Sequence, residues 1–150
     1  MRIEEFLKIN KELPVSLKSV INILVLAGKL KREINDFLRP YGISEPMFNV
    51  LRILRGQEGQ PANLKNVQMR MVHKTSNTTR LVDKLIEKGF VKRIIPEENR
   101  RIVEISITEK GMDLLAQIDP GFTKLEQSMV KKLSEEEVFE LNRLLEKMTG

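Results

Sequence analysis

A mainly α-helical chain carrying one small β-hairpin is what this sequence predicts, from three observations. Apolar residues recur every three or four positions over most of its length. Two short stretches, residues 90–95 and 102–108, instead alternate with a period of two. Between them lies a polar, turn-rich tip, Pro96-Glu97-Glu98-Asn99-Arg100-Arg101. The first pattern belongs to amphipathic helices and the second to half-buried strands joined as a hairpin. At 150 residues the chain makes one domain, long enough to bury roughly 70% of its unfolded surface without covalent or metal staples.

Leu17, Ile21, Leu24, Gly28, Ile34, Phe37 and Leu38 share helical spacing, so residues 16–39 form a long helix that Pro40 stops. Its middle, Val20 to Ala27, is apolar nearly all round. That favours packing between two subunits, with a central core helix inside one subunit as the other reading. After the turn Tyr41-Gly42-Ile43, Ser44 caps a helix with Pro46 in its first turn. It continues through Met47, Val50, Leu51 and Leu54 and ends near Gln57. Gly56, Gly59 and Pro61 make a loop, and Asn63 then precedes a short stretch in which Leu64, Val67 and Met71 share one face. Val72-His73-Lys74 connects it to a third helix, begun by Thr75 or a neighbour and running to about Lys88 before Gly89 ends it. Two short helices so spaced are a helix-turn-helix, and a hairpin directly after one is a wing. Thr108 caps the next helix, through Leu114, Leu115 and Ile118. Pro120-Gly121 bends or breaks it, and Phe122, Leu125, Met129 and Leu133 resume the stripe. Ser134 with Glu137 three residues later is a capping box opening a last helix, with Val138, Leu141, Leu144, Leu145 and Met148 on one side.

Charge is unevenly placed. The chain has Lys+Arg 26 against Asp+Glu 21, a net +5. Residues 65–101 hold ten bases and four acids, which makes that stretch +6 and leaves the rest slightly acidic. A local excess of this kind fits a polyanion site, or simply a solvated basic face. Other classes are excluded by inventory. Cys is 0 and His73 is the one histidine, so disulfides, thiolate metal sites and thiol sensing are out, and no metal or cofactor is expected. No Gly-rich phosphate loop or nucleophile–base constellation is present to support an enzyme. No apolar run approaches the ~18 residues of a membrane span, and the first fourteen residues lack a signal-peptide core; a cytoplasmic protein with no membrane contact is expected.

The third helix carries the chemistry. A 3.6-residue wheel turns Thr78, Leu81, Val82, Leu85 and Ile86 inward, and Ser76, Asn77, Thr79, Arg80, Asp83, Lys84 and Glu87 outward. Polar and basic side chains at the exposed start of a helix suit base edges in a major groove, and the helix N-terminus favours phosphate oxygens. Arg80 is the candidate for bidentate contact with guanine and Asn77 for adenine. Thr75, Ser76, Thr79 and Lys84 serve bases or phosphates. On the wing, Arg100 and Arg101, with Asn99 beside them, reach toward a minor groove, while Lys92 and Arg93 lie nearer the backbone. His73 reads as a turn residue or a phosphate contact. The rival reading, a protein-docking winged helix, would need an apolar outward face over residues 76–84, and that face is polar and basic.

Residues 44–111 resemble the MarR (multiple antibiotic resistance regulator) family of winged-helix transcription factors. The stretch from Thr79-Arg80-Leu81-Val82-Asp83-Lys84-Leu85 through Gly89-Phe90-Val91-Lys92-Arg93 is similar to that family's recognition helix and first wing strand. Ile105-Ser106-Ile107-Thr108-Glu109-Lys110-Gly111 is similar to its second strand and the start of the next helix. Two positions depart: Asn99 stands where the family's wing carries an Asp two residues before its Arg, and Gln68 replaces a small residue of the preceding helix. The resemblance implies a homodimer joined by helices from about residues 1–39 and 109–150, with residues 44–108 binding double-stranded DNA at a pseudo-palindromic operator. It implies a repressor whose DNA affinity falls when a small anionic aromatic effector binds between the dimer helices and the winged region, with a winged-helix regulator that takes no small-molecule effector as the alternative. Phe37, Tyr41, Met47, Phe48 and Met71 are the candidate pocket residues, with core packing as their alternative.

Overall fold

The computed structural model describes residues 2–72 and 77–150. A one-turn helix α1 (Ile3–Phe6), which no periodicity announces, precedes the long α2 (Val15–Leu38). Pro40 does stop α2, through a single 3-10 turn over Arg39–Tyr41 that closes on Gly42. Next come α3 (Glu45–Arg55), β1 (Ala62–Asn63), α4 (Leu64–Arg70) and α5 (Thr78–Glu87). The wing strands β2 (Val91–Ile94) and β3 (Glu104–Ile107) follow, then α6 (Glu109–Val130) and α7 (Glu135–Thr149).

The caps are largely those the sequence specifies. Asn63 accepts from the Lys65 N–H, Thr108 from the Gly111 N–H, and Ser134 and Glu137 complete a reciprocal capping box. Gly89 ends α5 at φ +78°, a backbone conformation glycine adopts without a Cβ clash. Its N–H reaches the Ile86 carbonyl, and the next N–H, of Phe90, reaches that of Leu85.

One expectation is extended and two are corrected. The wing is no isolated hairpin: β1 adds to β3, giving a three-stranded antiparallel sheet of order β1-β3-β2, with Ala62 opposite Ile105 and Val91 opposite Ile107. Two residues are too few to show alternation, and so β1 left no pattern in the sequence. Pro120 neither ends nor divides α6, which runs unbroken through it; flanking packing by Leu115, Ile118 and Phe122 holds the helix across the missing N–H. Finally, α3 ends at Arg55, two residues earlier than expected, with Gly56 as its cap.

The core gathers where α3, α4, α5, α6 and the sheet converge. Leu38, Val50, Leu51, Val67, Val82, Leu85, Val91, Ile105, Leu115 and Ile118 have no more than 1–2% of their surface exposed, each such side chain contributing about 1.5–3 kcal/mol by leaving water. Val67, beside Gln68 on α4, is fully enclosed. One contact locks the wing root to α6. The Thr108 hydroxyl donates to the Gly89 carbonyl at 2.6 Å while accepting from the Gly111 N–H at 3.1 Å. At Gly111 a Cβ would lie 2.4 Å from the Phe90 carbonyl oxygen, so only glycine lets the two segments meet.

The outer helices are different. Within α2 only Leu38 is buried, while Val20, Leu24 and Leu26 are 49%, 66% and 49% exposed; on α7, Phe139 and Met148 are 69% and 63% exposed. These apolar faces are uncovered by the described residues of the chain. Near the start of α2, Lys18 Nζ lies 2.8 Å from a nearly buried Glu4 carboxylate. That ion pair, with Arg2 also near, holds the Glu4 carboxyl below its ordinary value.

Candidate nucleic-acid interface

The segregation of α5 into two faces agrees with the wheel. Thr78, Val82 and Leu85 are buried, Leu81 and Ile86 half-buried, and Asn77, Thr79, Arg80, Asp83, Lys84 and Glu87 exposed. Burial of the inward residues against α3 and β2 fixes the helix, so the outward residues are displayed by a rigid element rather than a loop. Asn77, Arg80 and Lys84 line one shallow surface hollow together with Leu81. Three of the predicted contacts therefore form a single patch. The first turn of α5 holds no acidic residue, which keeps its positive helix end available to an anion. Thr75 and Ser76, along with His73, lie outside the described residues.

The wing adds a second set. Lys92, Asn99, Arg100 and Arg101 are all exposed. At the tip Asn99 does what an Asx residue does in a turn: its Oδ1 accepts the Arg101 backbone N–H at 3.1 Å, while the Ile102 N–H reaches the Asn99 carbonyl. Among the described residues the tip is thus fastened through the backbone and not by an ion pair. Arg93 has a further partner. Its Nη2 lies 2.7 Å from Asp83 Oδ1 on α5, so this strand residue ties the wing to the helix beside it. Sequence spacing gave no sign of that clasp, because it joins two elements ten residues apart across a reversal of the chain.

A cleft of about 300 Å³ separates α2 from α3 and α6. Ala27, Leu30, Ile34, Phe48 and Phe122 give it an apolar lining, and Lys31, Asn49, Arg52, Glu45 and Glu126 place polar groups at its edge. The Arg52 guanidinium sits 5.5 Å and 5.7 Å from the ring centres of Phe48 and Phe122 and 3.9 Å from Glu126. Of the five predicted pocket residues, Phe48 lines this cleft. Met47 and Met71 are buried in the core, and Phe37 and Tyr41 stack on one another, with Phe37 also against Phe122. These four pack as core or aromatic cluster because the wall facing the cleft comes from α2 and α6, whose approach sequence periodicity does not specify. A larger hollow, about 570 Å³, lies among residues 2–12; it is an open surface dip lined by no residue of α5 or the wing.

A helix pair packed on the core, the second helix turning a polar face outward, and a β-wing directly after it define a winged helix-turn-helix protein. Residues 43–103 match the model of the MarR family. Over 114 residues the chain is 30% identical to the HTH-type transcriptional regulator MgrA of Staphylococcus aureus, covering 76% of this chain and 75% of that one. It is 29% identical over 132 residues to the HTH-type transcriptional regulator MhqR of Bacillus subtilis, covering 85% and 90%. Among solved structures, a mutant MarR from E. coli complexed with operator DNA superposes with a TM-score of 0.78 at 26% identity, covering 91% of this chain and 95% of that one. The chain belongs to the MarR family and is a transcriptional regulator of the winged-helix class.

Proposed function

We propose that this chain acts as a homodimeric repressor, binding a pseudo-palindromic operator through α5 and the wing and releasing it when a small anionic aromatic molecule fills the cleft between α2, α3 and α6. The observation that carries the reading is the common exposure of Asn77, Arg80 and Lys84 on the outward face of a helix whose other face is core. In this reading Arg80 forks onto a guanine edge, Asn77 onto adenine, and Thr79 and Lys84 take neighbouring bases or phosphates, as do Thr75 and Ser76. Lys92 contacts the backbone, Arg93 shares that role with its bond to Asp83, and Arg100 and Arg101, held by the Asn99 turn, enter the minor groove.

Helices from residues 1–39 and 109–150 join two copies, and residues 44–108 bind DNA. A twofold axis then sets two α5 helices on successive major-groove faces, about 34 Å apart. Operator DNA in complex with the related E. coli protein supports this arrangement. The cleft suits an aromatic anion: Phe48 and Phe122 offer ring faces, and Lys31 and Arg52 offer charge. The protein works by binding and not by catalysis, in the cytoplasm.

The test is fluorescence anisotropy on a duplex selected from random DNA by the protein itself, against a scrambled duplex, over a salt series, with benzoate titrated into the complex. Preference for the selected duplex at physiological salt, reversed by benzoate, is expected. Equal affinity for both duplexes overturns sequence-specific recognition. Preference that benzoate leaves untouched overturns effector control by this class of anion.

A further inference from the structure

One half-buried side chain touches both the cleft and the approach to α5. Asn49, on α3, lines the cleft beside Arg52, Phe122 and Val72. Its Oδ1 also accepts the backbone N–H of Val72 at 3.0 Å, across 23 residues of sequence. Val72 is the last described residue before the link into α5, and its side chain is 74% exposed, so packing does not hold it. Its neighbour Met71 is core, and the Met71 sulfur accepts the Thr78 hydroxyl at 3.7 Å on the first turn of α5. Two adjacent residues leaving α4 are therefore held: Met71, in the core, reaches the first turn of α5, and Val72 is held by a side-chain amide that lines the cleft.

We propose that Asn49 is the positioning residue that sets the start of α5, and that it reports the state of the cleft to the DNA-binding face. The inference rests on the reading of α5 as the DNA-recognition helix. Asn49 has one acceptor oxygen and one NH₂ donor group. A cleft occupant that hydrogen-bonds Asn49, or swings its amide, withdraws the acceptor from Val72 and frees the entry to α5. The reverse also holds: DNA that fixes α5 holds Val72 against Asn49 and makes the cleft harder to fill, since coupling between two sites is reciprocal. Aspartate at this position keeps an acceptor while losing the donor, and alanine loses both.

The experiment compares the full-length wild type with Asn49→Ala and Asn49→Asp. Hydrogen exchange at the Val72 amide is read by NMR, and affinity for the selected and scrambled duplexes by anisotropy. Alanine is a good helix former at this α3 position, and circular dichroism with the thermal midpoint checks that both variants fold. We expect Asn49→Ala to speed Val72 exchange by about tenfold and weaken binding of the selected duplex by about 3- to 10-fold, the range that loss of one hydrogen bond allows. Scrambled DNA is bound as before, and Asn49→Asp restores both the protection and the affinity. Unchanged Val72 exchange in Asn49→Ala overturns the proposal whether or not DNA binds. So does unchanged preference for the selected duplex in that variant, provided the wild type shows the preference. Wild-type protein that binds both duplexes alike defeats the DNA-recognition reading instead, and leaves the Asn49–Val72 bond to be judged by its exchange rate.

Discussion

Single side chains divide here into those displayed on the exposed face of α5 and the wing and those that hold the frame. Arg80 and Lys92 are both exposed bases, but one sits on the outward face of α5 and the other on a wing strand. Arg80→Ala is expected to cost about 1–3 kcal/mol on the selected duplex and to relax base preference. Lys92→Ala should weaken selected and scrambled duplexes alike and flatten the salt slope by about one unit. Anisotropy across a salt series separates them, and equal losses on both duplexes for Arg80→Ala would remove its base-reading role. Gly111 belongs to the frame. A methyl group there meets backbone, the Phe90 carbonyl at 2.4 Å, and not the yielding end of a side chain. Gly111→Ala should therefore destabilise the protein by about 1–3 kcal/mol, seen as a lower urea midpoint with an unchanged slope. The wheel made Arg80 legible because one amphipathic helix contains all the information about which way it points. Gly111 was legible only as part of a family-like stretch, since its close approach joins two elements that no local pattern relates.

Elements show the same limit at the next scale. Helices with strong caps and a 3.6-residue stripe could be read to within a few residues: α7 begins where Ser134 and Glu137 require, and α5 ends at Gly89. The strand β1 and the persistence of α6 through Pro120 depend on what packs against them, and neither is written in its own segment. The cleft is illegible for that reason, since its walls come from three helices and only Phe48 was anticipated. The short α1 is a marginal element. It contains Glu4 and meets α2 through the ion pair with Lys18, and the Glu4 carboxyl is held below its ordinary value chiefly by that pair. A carboxyl with a lower pKa when docked favours docking while it is ionised. Its contribution is complete above the ordinary glutamate pKa of about 4.3 and is lost as pH falls through the lower docked value. Residues 2–12 should thus become open to proteolysis in that acid range while the remaining core stays protected. Glu4→Gln should show the same opening at neutral pH. If cleavage in this segment is independent of pH and of that substitution, the Glu4–Lys18 pair does not hold it.

At the scale of the whole molecule, the distribution of apolar surface is what one chain leaves unexplained. The core formed by residues 38–122 is closed, with Leu38, Leu85, Ile105, Leu115 and Ile118 all inaccessible. Leu24 on α2 and Phe139 on α7 remain 66% and 69% exposed, on two helices that fold with no buried side chain outside Leu38. Water-facing apolar residues at this density are covered in a stable assembly by another surface of the same kind. Leu24→Glu tests this without disturbing the core. In a lone subunit the new carboxylate stays solvated and costs little, whereas in an interface between two copies it must be desolvated against apolar neighbours. Sedimentation should give a dimer for the wild type and a monomer for the variant, with the same circular dichroism. Losing the second α5 removes the linked half-site contact, so affinity for a two-half-site duplex should fall by more than about 100-fold while affinity for a single half-site is nearly kept. A variant that stays dimeric would move the subunit contact away from the exposed middle of α2, and with it the geometry that places two recognition helices on one face of DNA.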